Sequence, residues 1–290
     1  MPDIAGKAVR HWFVTGGSSG LGRYLVEYAL QQGDHVTATA RRADALEDLK
    51  DAHGAGLTVE VVDLARPGDV EELVRKVVRN GSCNGGGEPV DVVVNNAGFA
   101  VVGAAEEMSV AQIRAQLEVM LISPLVITRA FLPAMRRQGG GRIIQISSMG
   151  GQIGVPTHSA YHAAKWGLEG FTESVSREVS GFGIHLTLVE PGGTRTGFKN
   201  ALTFAAELPA YRDTPVDHVR RQLRDADDTS LTGDPEAIAA AIYATTRRAD
   251  PPLRLTLGAD SYAAVHQALT ERLGALEGQR EQAESIAFGG

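Results

Sequence analysis

Tyr161 and Lys165 stand four residues apart in the stretch SAYHAAKWGLEGF, residues 159–171. On a helix that spacing puts a phenol and an ammonium on one side, a turn apart. A phenol with a pKa of about 10 is a poor base near neutrality, and a neighbouring cation favours the phenolate and lowers that value. The spacing alone leaves two readings open, an ordinary pair on a solvent-facing helix or a proton donor and acceptor with the cation that tunes it, and the rest of the chain decides between them. His158 and His162 flank the tyrosine. His162 should point about 100° away around the helix, so both are read as surface or pocket-wall residues.

A second chemical feature lies near the N-terminus, where Thr15, Gly16, Gly17, Ser18, Ser19, Gly20, Leu21 and Gly22 join an apolar run to a helical pattern. Glycines let a backbone turn tightly against a pyrophosphate, and a helix N-terminus offers its free N–H groups to the anion. The pattern is G-x-x-x-G-x-G rather than G-x-G-x-x-G. Its position in a first strand–turn–helix unit makes it a dinucleotide loop. The next strand, HVTATA (35–40), ends at Ala40, where an acid would accept from a ribose 2′-hydroxyl. Arg41 follows instead, and a guanidinium matches a 2′-phosphate. NADP(H) is therefore expected rather than NAD(H).

The elements that must carry these residues alternate. Apolar strand-like runs occur at 8–14, 35–40, 57–64, 90–96, 142–147, 184–190 and 253–258. Between them lie helical patterns at 21–33, 43–53, 68–78, 107–137, 157–180, 234–247 and 260–283. VDVVVNN is almost wholly apolar, as in a strand covered on both faces. This order predicts an α/β fold, a Rossmann-type doubly wound parallel sheet of about seven strands with helices on both faces. One domain over 1–290 is expected. Within it, 197–232 is a helical lid over the substrate, and 233–290 a closing helix–strand–helix.

Composition narrows the partners. The net charge of −7 makes a nucleic-acid surface unlikely to form. Cys83, the single cysteine, excludes an internal disulfide and is read as an incidental loop residue in NGSCNGGGEP. No His, Cys or carboxylate spacing resembles a metal site. No signal-like core or apolar run of about 18 residues is read, so no membrane is expected and the cytoplasm is the expected compartment.

TGGSSGLG (15–22), VDL (62–64), NNAG (95–98), ISS (146–148), YHAAK (161–165) and PGGTRT (191–196), in this order, resemble the short-chain dehydrogenase/reductase family across roughly residues 8–198. The tail GDPEAIAAAI…PPLRLTLGAD further resembles its bacterial 17-beta-hydroxysteroid-dehydrogenase-like subgroup. The resemblance implies cofactor contacts from Gly16, Ser18, Ser19, Gly20, Leu21 and Gly22. It places Asp63 and Leu64 by the adenine, and Asn96, Ala97 and Gly98 along the adenosine. Pro191, Gly192, Thr194 and Thr196 would border the nicotinamide. Ser148, 13 residues before Tyr161 as in the family, would polarise the substrate oxygen, and Lys165 would also hold the nicotinamide ribose. A homodimer or homotetramer is implied.

One family residue is absent. An asparagine is usual in the helix before the catalytic strand, and Met120 occupies its place. A thioether cannot replace an amide donor and acceptor. Another proton route, a weakened or altered activity, or a substituted residue would each account for it. The expected activity is hydride transfer between NADP(H) and a small-molecule carbonyl or secondary alcohol. The substrate is read as a lipophilic ketone, from Phe99, Val101, Phe198, Leu202 and Phe204. A nucleotide-binding regulator or a non-redox enzyme on the same fold is the alternative.

Overall fold

The computed structural model describes residues 6–81, 87–225 and 230–286. Cys83 lies outside them. Its first elements are β1 (His11–Val14), α1 (Gly20–Gln31), β2 (His35–Ala40), α2 (Glu47–His53), β3 (Leu57–Val61), α3 (Pro67–Asn80) and β4 (Val92–Asn95). Then come β5 (Ala100–Val102), α4 (Val110–Leu117), α5 (Ser123–Gln138), β6 (Gly141–Ile146), α6 (Ser159–Val179) and β7 (Ile184–Pro191). β8 (Leu202–Phe204), α7 (Pro215–Asp225), α8 (Pro235–Thr246), β9 (Arg254–Leu257), α9 (Ala259–Glu277) and α10 (Arg280–Glu284) complete the order.

Seven strands form one parallel sheet in the order β3-β2-β1-β4-β6-β7-β9. Successive side chains of a strand alternate between faces. Trp12 and Val14 accordingly pack with Leu25 and Val26 of α1 and Ile238 and Ile242 of α8. Phe13, between them, packs with Val74 of α3 and Ile127 and Phe131 of α5 on the other side. Both faces are covered, which is why the strands read as continuous apolar runs. The expected doubly wound sheet is the observed one.

Strand order reverses between β1 and β4, and in sheets of this kind the ligand crevice lies at that point, outside the carboxyl ends of the strands. Parallel register brings those ends to a single edge. Val14 pairs with Ala38 and Val94, Asn95 with Gln145, Ile146 with Val189, and Pro191 with Leu257.

Three expectations change. The helix read over 107–137 is two helices joined by a π turn at Glu118–Ile122, with Met120 inside it. As one run, Val110–Gln138 is long and apolar enough by length and composition to cross a membrane, contrary to the expectation that no run is. Here its Ile127, Phe131 and Met135 lie in the core. The lid region holds the strand β8 and the helix α7. β8 pairs in parallel with β5, so the lid is hydrogen-bonded to the loop after β4.

Candidate active site

The glycine loop leaves β1 at the crevice. Gly16 adopts a left-handed backbone (φ +64°), and a Cβ there would lie 3.0 Å from the Ala97 Cα. Only glycine meets both conditions. The loop is pinned from β2, with Gly16 N donating to Thr39 Oγ1 at 3.0 Å and Gly17 N to Thr39 O at 2.9 Å. From β4, Asn96 Nδ2 donates to Thr15 O at 2.9 Å and to Gly16 O at 3.2 Å. Thr15 Oγ1 in turn accepts from Asn96 N and Ala97 N. Thr15 was visible only as the first residue of the glycine motif, and Thr39 did not stand out in the sequence, because a threonine inside a strand carries no motif of its own.

Ser19 is the N-cap of α1 and its side chain makes no capping bond. The first N–H groups of that helix therefore face the crevice without a side-chain acceptor, an arrangement that suits an anion. Ser18 is half-buried, Gly20 has φ +54° and Leu21 is buried beneath them. A Cβ built on Gly20 would lie 3.6 Å from Thr196 O, so the loop after β7 abuts the glycine loop. Arg41 is exposed directly after β2, and among the described residues no carboxylate pairs with it. Asp63 caps Ala65 N at 3.1 Å, and Leu64 O accepts from Ser123 Oγ at 2.8 Å. Gly98 faces the Met120 side chain. The cofactor residues inferred from the sequence thus line one edge.

Ser148, Tyr161 and Lys165 meet at the same edge. β6 delivers Ser148, whose hydroxyl accepts from Gly150 N at 3.1 Å. It lies beside Tyr161, and its hydroxyl counters part of the rise that burial imposes on the phenol. Lys165, 4% exposed, donates from Nζ to Ile146 O at 2.7 Å and lies 5.7 Å from the Tyr161 ring centre. Burial lowers its pKa to about 8, and the Glu169 carboxylate opposes that shift. The sequence led to a phenol lowered by the ammonium. In the structure burial dominates at both groups, and it is the lysine that is brought toward neutrality.

His162 is nearer the tyrosine than its helical phase suggested. The two rings stand 5.8 Å apart, edge to face; the His158 ring also meets Tyr161 at 5.8 Å and lies 5.9 Å from the His162 ring. Val155 N donates to His162 Nε2 at 3.1 Å, so Nδ1 carries the hydrogen and donates to Gly150 O at 2.8 Å. His162 thereby pins the turn after Ser148, and burial lowers its pKa in keeping with a neutral ring.

Met120 is 1% exposed, and its sulfur accepts from Gln116 Nε2 at 3.9 Å. Gln116 also donates to Phe99 O at 3.2 Å, so this region is closed by a glutamine and a thioether.

The lid is an excursion with joined ends. Thr194 bridges to Gly233, with Arg195 N donating to Gly233 O and Gly233 N to Gly193 O. Inside it, Arg220 of α7 forms a buried ion pair with Glu107, which also accepts from Ala104 N at 2.7 Å and Leu208 N at 2.9 Å. Leu202, Phe204 and Phe99 are half-buried and Phe198 is exposed. Val101, expected on the pocket wall, is buried against Met108, Ala160 and Ala205, because alternation along β5 turns it to the core.

The family profile described as short chain dehydrogenase matches residues 10–206. The chain is 36% identical over 250 residues to an oxidoreductase, BOA17, of Botryotinia fuckeliana, covering 86% of this chain and 89% of that one. It is 30% identical over 247 residues to a 3-ketodihydrosphingosine reductase of Bacteroides thetaiotaomicron, covering 84% and 86%. A solved short-chain dehydrogenase from Streptomyces avermitilis superposes with a TM-score of 0.87 at 36% identity, covering 97% and 99% of the two chains. Serine dehydrogenase in its closed form with NADP+ superposes with a TM-score of 0.69 at 26% identity, covering 85% and 94%.

Proposed function

The chain belongs to the short-chain dehydrogenase family of oxidoreductases, and from that premise we propose that it interconverts a lipophilic ketone and its secondary alcohol with NADP(H). One observation carries the reading. Ser148, the adjacent Tyr161 and Lys165 share the sheet edge with the glycine loop and Thr196. Gly16, Gly20 and the uncapped start of α1 form a cradle for a pyrophosphate, and Arg41 supports a 2′-phosphate. When bound there, the nicotinamide would give or take the hydride.

Hydride arrival at a carbonyl leaves an alkoxide that needs a proton. The Tyr161 phenol, kept protonated by burial, gives that proton and takes it back in the reverse direction. The Ser148 hydroxyl, beside Tyr161, donates to the same oxygen and stabilises its developing charge. Lys165, with a pKa brought to about 8, holds the positive charge that favours the phenolate and exchanges its own proton near neutrality. Half-buried Phe99, Leu202 and Phe204 support an apolar substrate, as does the ketone named in the Bacteroides relative. Exposed Leu269, Leu273 and Leu276 along α9 support a homodimer or homotetramer.

The alternative, a nucleotide-binding regulator or a non-redox enzyme on this fold, draws on Met120 alone. Incubation with NADPH and a panel of bulky ketones, followed by cofactor absorbance, separates the two. Oxidation of NADPH dependent on a ketone is expected. Cofactor binding with no turnover of any carbonyl would sink the proposal.

A further inference from the structure

Glu169 lies one turn beyond Lys165 on α6 and is 5% exposed. Its Oε1 accepts from Ser147 Oγ at 2.6 Å, and its Oε2 accepts from Arg254 Nε at 3.0 Å and Gln152 Nε2 at 3.5 Å. Arg254, from β9, also reaches Glu173 Oε2 at 2.9 Å and stands 3.7 Å from Glu190 Oε1. Glu190, on β7, is held by Gln152 Nε2 at 3.1 Å and Thr256 Oγ1 at 2.8 Å. Two buried carboxylates and a half-buried guanidinium thus converge behind the reacting groups.

We infer that Glu169 is a positioning residue, tying the strand end that carries Ser148 to the helix that carries Tyr161 and Lys165. The inference rests on the carbonyl chemistry proposed above and concerns how that site is held. Helix positions 161, 165 and 169 form one i, i+4 row. They meet three consecutive residues at the end of β6: Lys165 bonds to Ile146, Glu169 bonds to Ser147, and Tyr161 lies beside Ser148. The strand end is laced to the helix at Ile146 and Ser147, and Glu169 supplies the second tie.

The turn after Ser148 rests on that tie. A Cβ on Gly151 would lie 2.7 Å from Ser147 Oγ and 2.8 Å from Glu169 Oε1, so this close seat admits no side chain. Loss of the tie frees the Ser147–Gly151 segment, and displacement of a reacting group by about 1 Å costs up to 10²-fold in rate. Glu169 also contributes charge. The groups facing it are Lys165 and Glu173 on its own helix, Glu190 on β7 and Arg254 on β9. Its carboxylate opposes the loss of the Lys165 proton.

The test uses the full chain with Ser147→Ala, Glu169→Ala and Glu169→Gln. Turnover with NADPH and a ketone is measured against pH, and Lys165 is titrated through its Cε resonance by NMR, assigned with Lys165→Arg. Ser147→Ala and Glu169→Ala are expected to lower kcat about tenfold with KM for NADPH unchanged. Glu169→Gln, which still accepts from Ser147, is expected to recover part of kcat. Without the charge, its Lys165 titration should move down by ~0.5–1 pH unit, and the alkaline limb of carbonyl reduction with it.

Unchanged kcat in both alanine variants, with Lys165 titrating alike in Glu169→Gln and the parent, would overturn the inference. So would a loss that only follows melting temperature and NADPH affinity. If the parent protein turns over no carbonyl, the proposed function fails, while the Lys165 titration still decides the role of Glu169.

Discussion

Lys165 donates its ammonium to the Ile146 carbonyl at 2.7 Å, fastening the helix of Tyr161 to the strand that delivers Ser148. The bond holds a cation in a site whose burial works against charge, and its titration follows from that. The folded group loses its proton at about 8 rather than at its ordinary 10.5. Between these values the unfolded chain binds the extra proton, so stability rises with pH across that window. Below the window both states are protonated and the burial cost is present in full. The rise is expected to be about 3 kcal/mol. Urea unfolding of the parent and of Lys165→Met at several pH values checks it, the variant lacking this rise.

Tyr161→Phe keeps the ring against His158 and His162 and removes only the hydroxyl. Ketone reduction should fall by ~10²–10⁴ while NADPH affinity holds, as for a lost acid–base group. Steady-state kinetics with a binding titration reads both. A variant that still turns over within a few-fold of the parent would remove Tyr161 from its role.

Arg41 follows directly on β2, two residues beyond the Thr39 that anchors the glycine loop. Arg41→Ala should weaken NADPH by ~10–100-fold, the cost of a lost charge-assisted bond, and leave NADH unchanged. Parallel fluorescence titrations with the two cofactors measure the ratio. An unmoved preference would refute the 2′-phosphate assignment.

Met120→Asn places an amide inside a π turn at a site 1% exposed, beside Gln116. The fold should persist at a cost of about 1–3 kcal/mol for an incompletely bonded polar group. Turnover should equal or exceed that of the parent. A large loss of activity with the fold intact would show that Met120 has its own role.

Arg220→Met leaves Glu107 buried without its cation, and breaking such a pair costs ~3–5 kcal/mol. The effect should fall on the lid first. Limited proteolysis is expected to cut within 205–225 faster, and KM for a bulky ketone to rise. Protection identical to that of the parent would show that the pair does not fasten the lid.

The sheet was legible in the sequence because each strand is covered on both faces. Stretches such as Val92, Val93 and Val94 are apolar without a break and bounded by turn residues. The spacing from Tyr161 to Lys165 was legible because helical phase acts locally. What escaped is non-local. β5 and β8 are three residues each, and neither is a strand until the other lies alongside, roughly a hundred residues away. Glu169 resembled any solvated helix glutamate, since Ser147, Glu190 and Arg254 converge on it only in the fold. His162 was placed by angle alone, whereas ring size and the turn at Gly150–Val155 bring it against Tyr161. The π turn at Glu118–Ile122 has no residue signature distinct from an apolar helix.

The joined ends of the lid, Thr194 bridged to Gly233, make it an exchangeable cassette. Its loop is already closed at the neck, and lengthening a closed loop adds little entropy. Segments of other length or composition can therefore be exchanged between these two residues where they keep a strand for β5 and a cation for the buried Glu107. In a lineage built this way, substrate preference can diverge by splicing and drift in one stretch, leaving the proton machinery under separate selection.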